Sequence, residues 1–294
     1  MEHLSEGNSI NGTARLTRVA PETVRRLNRK GGQHGQRYHE EKVQNLAVKN
    51  IQADERHGYA KAKSNPAWEA DVIDPASKFI ISHVQGERNE SLIEDLLSDS
   101  AQRVENPHEI ALFSDGFASY KTLFPQIFGV AYQPPRQTHL GRPPKTRYRI
   151  PRTAAHVQII KHRQGRKLDS VEIHYAHGSQ KRITKALDEL GFNIPNTSII
   201  ERYNATVRLM NGTQTRKTLA FAKHEDDKCH RGWWALTVYN WCRPHRSLRQ
   251  LLDVPVGKKK YEQRAPAMAI GLASHIYSQA EVLLTPVYPL NGWR

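Results

Sequence analysis

The short run Ile110-Ala111-Leu112-Phe113, closed by Ser114-Asp115-Gly116, is the stretch that most narrows the fold. Four consecutive apolar residues ended by a turn signal read as a buried strand, and an acid at its end projects from a rigid sheet edge. The surrounding patterns extend this to a sheet covered by helices. Glu69 to Ile73 and Lys78 to Val84 are strand-like runs around an Asp74-Pro75-Ala76-Ser77 turn and predict a hairpin. Leu92, Ile93, Leu96, Leu97, Ala101 and Val104 recur at helical spacing and predict an amphipathic helix before the Asp115 strand. Lys49 to Ala53 predicts a further strand, which delivers Asp54 at its end. Asn196-Thr197-Ser198 supplies N-cap residues for a helix running from Arg202 to Met210, with Glu201 in its first turn. The expected class is therefore α/β, a mixed sheet flanked by helices. The helical stripe Trp233, Trp234, Val238 and Trp241 is expected to pack against that sheet rather than stack on bases.

Asp54, Asp115 and Glu201 are the candidate chemistry. Hard oxygen donors suit Mg²⁺ or Mn²⁺, and three convergent carboxylates can hold two ions. Taken singly, each has a structural explanation. Asp115-Gly116 suits a turn, Ser198-Ile199-Ile200-Glu201 fits a capping box, and Asp54-Glu55 fits a solvated charged pair.

The sequence around these acids resembles the bacterial insertion-sequence transposases with a DDE triad, in particular the insertion-sequence-one type. The matching stretches are Ile51 to Glu55, Leu112 to Tyr120, Asn196 to Asn204, Thr218 to Lys223, Tyr239 to Leu248 and Ala265 to Leu272, in the same order over most of the chain. The resemblance implies a ribonuclease-H-like fold with Asp54, Asp115 and Glu201 as catalytic, metal-holding residues. It also implies Mg²⁺ (or Mn²⁺), two ions, as cofactor, cleavage at transposon ends, and strand transfer by the freed 3′-hydroxyl. The chain departs from the family in lacking the N-terminal cysteine pairs of a zinc ribbon and in having His57 where an aromatic residue is expected.

Charge points to the partner. The 294 residues carry 44 Lys and Arg against 29 acids, a formal +15, with a pI near 9.9. Such values are typical of proteins that neutralise phosphates, and the resemblance implies that the partner is double-stranded DNA, bound by a homo-oligomer. The excess concentrates between residues 131 and 169, where ten Lys or Arg face the single acid Asp169 and five prolines interrupt the chain. This predicts an extended basic, Pro-rich insertion, with Arg142, Lys145, Arg147, Arg149 and Arg152 as DNA contacts. Gly141-Arg142-Pro143 partly matches the core of minor-groove AT-hooks, with Leu140 in place of the flanking Arg. Arg208 lies two helical turns beyond Glu201 on the same face, in reach of a phosphate beside the metals.

Residues 1–47 predict a partial helix-turn-helix and linker. Ile10, Ala14 and Leu16 form one helical face, Arg18-Val19-Ala20 turns, and Pro21 opens a second helix with Val24 and Leu27 inward and Arg25, Arg26 and Arg29 outward toward DNA. Gly31 to His39 is the expected linker, 48–255 the catalytic domain and 256–294 a C-terminal tail. Cys229 and Cys242 suit a reducing cytosol. Without Cys-x-x-Cys spacing they are expected as buried free thiols rather than zinc ligands. No apolar run is long enough to span a bilayer and residues 1–8 are too polar for a signal peptide, so a cytoplasmic, nucleoid-associated protein is expected. Two other classes fit the same sequence: a degenerate or repurposed DNA-binding protein without catalysis, and a structure-selective nuclease that cuts without joining.

Overall fold

The computed structural model describes residues 1–135, 144–165, 167–257 and 259–288. The chain opens with three helices, α1 (Glu2–Ser5), α2 (Ile10–Thr17) and α3 (Pro21–Lys42). Strands β1 (Asn50–Arg56), β2 (Trp68–Ile73) and β3 (Ile80–Gly86) follow, then helix α4 (Glu90–Arg103) and strand β4 (Ala111–Ser114). Next come α5 (Ala118–Phe128), β5 (Val130–Tyr132), β6 (Arg147–Arg149), β7 (Ala155–Gln164) and β8 (Lys167–Gly178). Helices α6 (Gln180–Leu190), α7 (Ser198–Met210) and α8 (Glu225–Thr237) precede a π-helical turn over Val238–Cys242. The hairpin β9 (Gln250–Val256) and β10 (Lys259–Glu262), then α9 (Pro266–Ala269) and α10 (Gln279–Leu284), complete the described chain.

Six strands form one mixed sheet in the order β3-β2-β1-β4-β7-β8. Strand β2 runs antiparallel to both β1 and β3, β4 runs parallel to both β1 and β7, and β8 turns back antiparallel on β7. The expected hairpin and the helix preceding the Asp115 strand are both present. Helices α4 and α5 cover one face, where Leu92, Ile93, Leu96 and Leu97 meet Ile80, Val72 and Phe124 in the main core. Helices α6, α7 and α8 cover the other face. There Phe113, Val157 and Ile159 pack on Ile183 and Leu187, while Trp233 lies edge-on to His83 with ring centroids 5.0 Å apart. Trp233, Trp234, Val238 and Trp241 are buried, as their helical spacing predicts.

Several expectations change. Gly31 to His39 is no linker but the middle of α3, which packs along α8. Its glycines make the close approach possible: a Cβ at Gly32 would sit 2.3 Å from the His230 carbonyl oxygen, and one at Gly35 would sit 2.4 Å from Thr237 Oγ1. The two N-terminal helices lie where expected, with Arg18 in the left-handed conformation between them. Their inward faces differ. Leu16 is 61% and Leu27 45% exposed, while Ala14 and Val24 face inward as expected and Leu4 of α1 completes the small core.

The basic segment is a loop only in part. Its C-terminal half is β7, an interior strand, because Ala155, Val157 and Ile159 alternate inward to pair with β4. Arg142 and the Gly141-Arg142-Pro143 match lie outside the described residues. The expected boundary at 255/256 falls within the β9–β10 hairpin, and Ala267 and Val282 of the expected tail belong to the main core. Among the described residues no helix is long and apolar enough to cross a membrane.

Candidate metal centre

Register brings the first two acids together. Gln52 of β1 lies opposite Phe113 of parallel β4, so two residues further on Asp54 stands level with Asp115. Neighbouring strands are about 4.8 Å apart, and residues level with each other share a face. Asp115, one residue past the end of β4, turns the chain into α5 by accepting a hydrogen bond from the Phe117 amide at 2.9 Å on Oδ1. The Asx turn therefore fixes its carboxylate, and the turn reading of Asp115-Gly116 holds alongside any chemical one.

Glu201 is delivered by the N-terminus of α7, and the device that places it is Gln52. Buried Gln52 Oε1 accepts from the Ile199 and Ile200 amides at 3.1 and 3.0 Å, and its Nε2 donates to the Asn196 carbonyl at 2.9 Å. A strand side chain thus caps the helix. Thr197 takes the N-cap position without capping, and its hydroxyl instead donates to Glu201 Oε1 at 2.6 Å. The alternative Ser198–Glu201 capping box is absent, since Ser198 bonds Asn196 and lies one residue inside the helix.

Asp54, Asp115 and Glu201 line one cavity of about 490 Å³, together with Arg88, Lys161, Arg163, Thr197 and Ile160. Two of these acids, Asp54 and Asp115, also cluster with Glu55, the ligand oxygens of the three lying within 4.8 Å of one another. Glu201 stands outside that group. It is ion-paired to Lys161, a β7 residue whose Nζ also approaches Thr197 Oγ1 at 3.5 Å. Burial pushes the Asp54 carboxyl up to about 7, and the charges of Glu55, Asp115 and Glu201 add to the rise. Glu55 is raised as well, first by burial and then by Asp115. The Tyr120 hydroxyl, buried beside Glu55, is driven well above its ordinary value by the same burial and charge.

Behind Asp54 lies a buried ion network. Arg56 pairs with Glu69 at 2.8 Å and with Asp71; Lys228 meets Glu69 at 2.6 Å, and His83 meets Asp71 at 2.7 Å. Two cations face two anions, so the charge is balanced where water is excluded. Burial alone would raise Glu69, but Lys228 and Arg56 hold it well below the usual carboxylate range. Asn204 of α7 joins the network to the site, accepting from Arg56 Nη1 at 2.7 Å and donating to Asp54 Oδ2 at 2.7 Å.

The expected DNA-contacting residues fall into separate places. Arg208 is half-buried on α7 and makes no ion pair among the described residues; burial lowers its pKa, and so does the charge of Arg216. Arg26 and Arg29 are exposed on α3. Arg25 is not free: it bridges Glu22 at 2.5 Å and Asp227 of α8 at 3.3 Å. Lys145, Arg147, Arg149 and Arg152 are exposed, the middle two on β6, where Arg149 lies 5.4 Å from the Tyr132 ring centroid. Cys229 and Cys242 are free, half-buried thiols; burial raises both, Cys242 to about 12.

Sequence reasoning missed Glu55, Arg88, Lys161, Gln52 and Asn204. The alternation within β1 was the available signal for Gln52, which shares a face with Asp54 two residues on. No protein-family model matches the chain, and no curated protein matches it.

Proposed function

We propose that the chain is a DNA transposase of the DDE type that cleaves at the ends of its element and joins the freed 3′-hydroxyl to target DNA. One observation carries the reading: acids from β1, the end of β4 and the start of α7 line a single cavity. The hairpin beside β1, the helix after it, the parallel β4 and the later α7 support a ribonuclease-H-like core. The strand-transfer half of the activity rests on the resemblance described above.

The donor set fits a hard divalent cation. Asp54, Glu55 and Asp115 offer oxygens within 4.8 Å of one another, and Glu201 lines the same cavity as Asp54 and Asp115. Asp54, Asp115 and Glu201 are the residues that would hold Mg²⁺ or Mn²⁺, two ions in this reading. Bound there, the metal supplies Lewis acidity and an activated water for in-line displacement at phosphorus.

The remaining work belongs to the chain. Asn204 and the Glu55 amide fix the Asp54 carboxylate, with donor distances of 2.7 and 2.9 Å. Thr197 and Lys161 fix Glu201, and the Phe117 amide fixes Asp115. Arg208 and the exposed cations of β6 and α3 are proposed to bind the phosphates of double-stranded DNA, with α2 and α3 acting as a helix-turn-helix. A homo-oligomer on DNA is part of the proposal, since two ends must be joined.

The test is cleavage of supercoiled or end-labelled DNA carrying the element's ends, with Mg²⁺. Asp115→Ala and Glu201→Ala should lose cleavage while retaining the parent's circular dichroism. Cleavage equal to the parent's in either variant would overturn the assignment. A parent that cuts without joining would point to a structure-selective nuclease instead.

A further inference from the structure

We propose that Glu55 is a fourth carboxylate of the metal centre and that Arg88 is the chain's own counter-cation there, displaced when a divalent ion binds. The inference rests on the metal-dependent reading of the site.

Strand alternation should separate Glu55 from Asp54, one on the α4–α5 face and the other on the α7 face. They meet because β4 stops short. Its pairing with β1 ends at Gln52 and Phe113, so from Asp54 to Arg56 strand β1 is paired only on its β2 side. In the space left open, carboxylates from both faces converge with Asp115, their oxygens within 4.8 Å.

Glu55 is poorly explained as a surface acid. Its side chain is 1% exposed, and it lies buried with the Tyr120 hydroxyl and Arg88 as its hydrogen-bond partners. A buried carboxylate is costly unless a cation comes to it.

The cation the structure provides is Arg88, from the turn between β3 and α4. Its Nε and Nη2 both stand 3.1 Å from Glu55 Oε2, and Nη2 is 3.8 Å from Asp115 Oδ2. The guanidinium lies 4.3 Å from the Phe117 ring centroid and 5.1 Å from that of Trp68. Arg88 therefore pairs closely with a single oxygen of Glu55 and reaches Asp115 only at longer range. The aromatic rings can keep it at the rim once it leaves the acids. A guanidinium neutralises carboxylates but cannot gather oxygens around a point, so a small divalent ion competes for the same acids.

The test is a Mn²⁺ titration of the full chain without DNA at pH 8, following free Mn²⁺ by electron paramagnetic resonance. Glu55→Gln should weaken Mn²⁺ binding at least tenfold. Arg88→Met, which keeps the stem and removes the charge, should tighten it several-fold. Glu55→Gln binding within twofold of the parent, or Arg88→Met binding equally or more weakly, would overturn the inference. Should Glu55→Gln misfold by circular dichroism, Arg88→Met decides alone. Asp54→Asn separates the two levels. If it abolishes binding while Glu55→Gln and Arg88→Met match the parent, only this inference fails. If the parent binds no Mn²⁺, or Asp54→Asn binds as the parent does, the metal reading fails and takes this inference with it.

Discussion

The Asn204 side-chain amide donates to Asp54 Oδ2 at 2.7 Å while its carbonyl is held by buried Arg56. A carboxylate that must present its oxygens in one orientation is thus fixed from behind by a group that never needs to touch DNA. Partners of this kind typically matter about 10- to 100-fold in affinity or activity. Asn204→Ala should lower Mg²⁺-dependent nicking by about that factor. The check is single-turnover nicking beside a thermal melt, where an unchanged rate in a folded variant would refute the positioning role.

Asp54 gives the site a pH dependence whose sign follows from its raised pKa of about 7 against an ordinary 3.8. Between those values the folded chain holds a proton that the unfolded chain releases, so the metal-free protein loses stability as pH rises through the window. Metal binding must expel that proton, and Mn²⁺ affinity should climb from pH 6 to pH 8. Asp54→Asn should flatten the stability profile and raise the metal-free Tm at pH 8 by roughly 5 °C. Calorimetric scans at the two pH values decide it.

The buried network behind the site predicts an asymmetry. Lys228→Met leaves Glu69 facing Arg56 alone in a dry environment, and removing one partner of such a pair costs about 3–5 kcal/mol. Lys228→Met combined with Glu69→Gln should recover part of that loss. Urea unfolding of the two single variants and the double provides the measurement.

His39 and His156 set the acid limit. Burial drives both pKa values down to about 3, with Arg103 adding to the effect at His39 and His177 at His156. In the unfolded chain they titrate near 6.5, so stability is complete above that pH and is lost as pH falls toward 3. Between pH 7 and pH 5 each should cost about 2 kcal/mol. Urea midpoints across that range test this, and His156→Phe should lessen the slope.

At the α3–α8 contact, Gly32→Ala drives a methyl group to 2.3 Å from the backbone oxygen of His230. Overpacking of this sort costs typically about 1–3 kcal/mol. A Tm equal to the parent's would mean that the two helices separate without penalty.

Strong local periodicity made much of the architecture legible. The Leu92-Ile93-Leu96-Leu97 pattern marks α4, the hairpin punctuation at Asp74 to Ser77 marks β2 and β3, and the apolar run before Asp115 marks β4. What misled was residue type read without its neighbour. Glycines at 32 and 35 look like chain breakers, yet against α8 they are the residues that fit. Leu16 and Leu27 look like core, yet their side chains stay exposed because Leu4 of α1 fills that place. Asp54, Asp115 and Glu201 could be named because each ends or begins an element. Glu55 could not be placed, since its convergence with Asp54 depends on where a neighbouring strand stops. Arg88 and Lys161 owe their places to contacts between distant segments, which no local spacing records.

The Gln52 cap has one last consequence. The same seven-residue strand carries the first acid and grips the helix that carries the third, across a sequence separation of 144 residues between Gln52 and Asn196. Distance between those two acids is therefore governed locally, as if by a short rigid caliper, and the long intervening polypeptide is released from that duty. The excursion between them can lengthen while the jaws stay set, provided Asp115 and Lys161 keep their places.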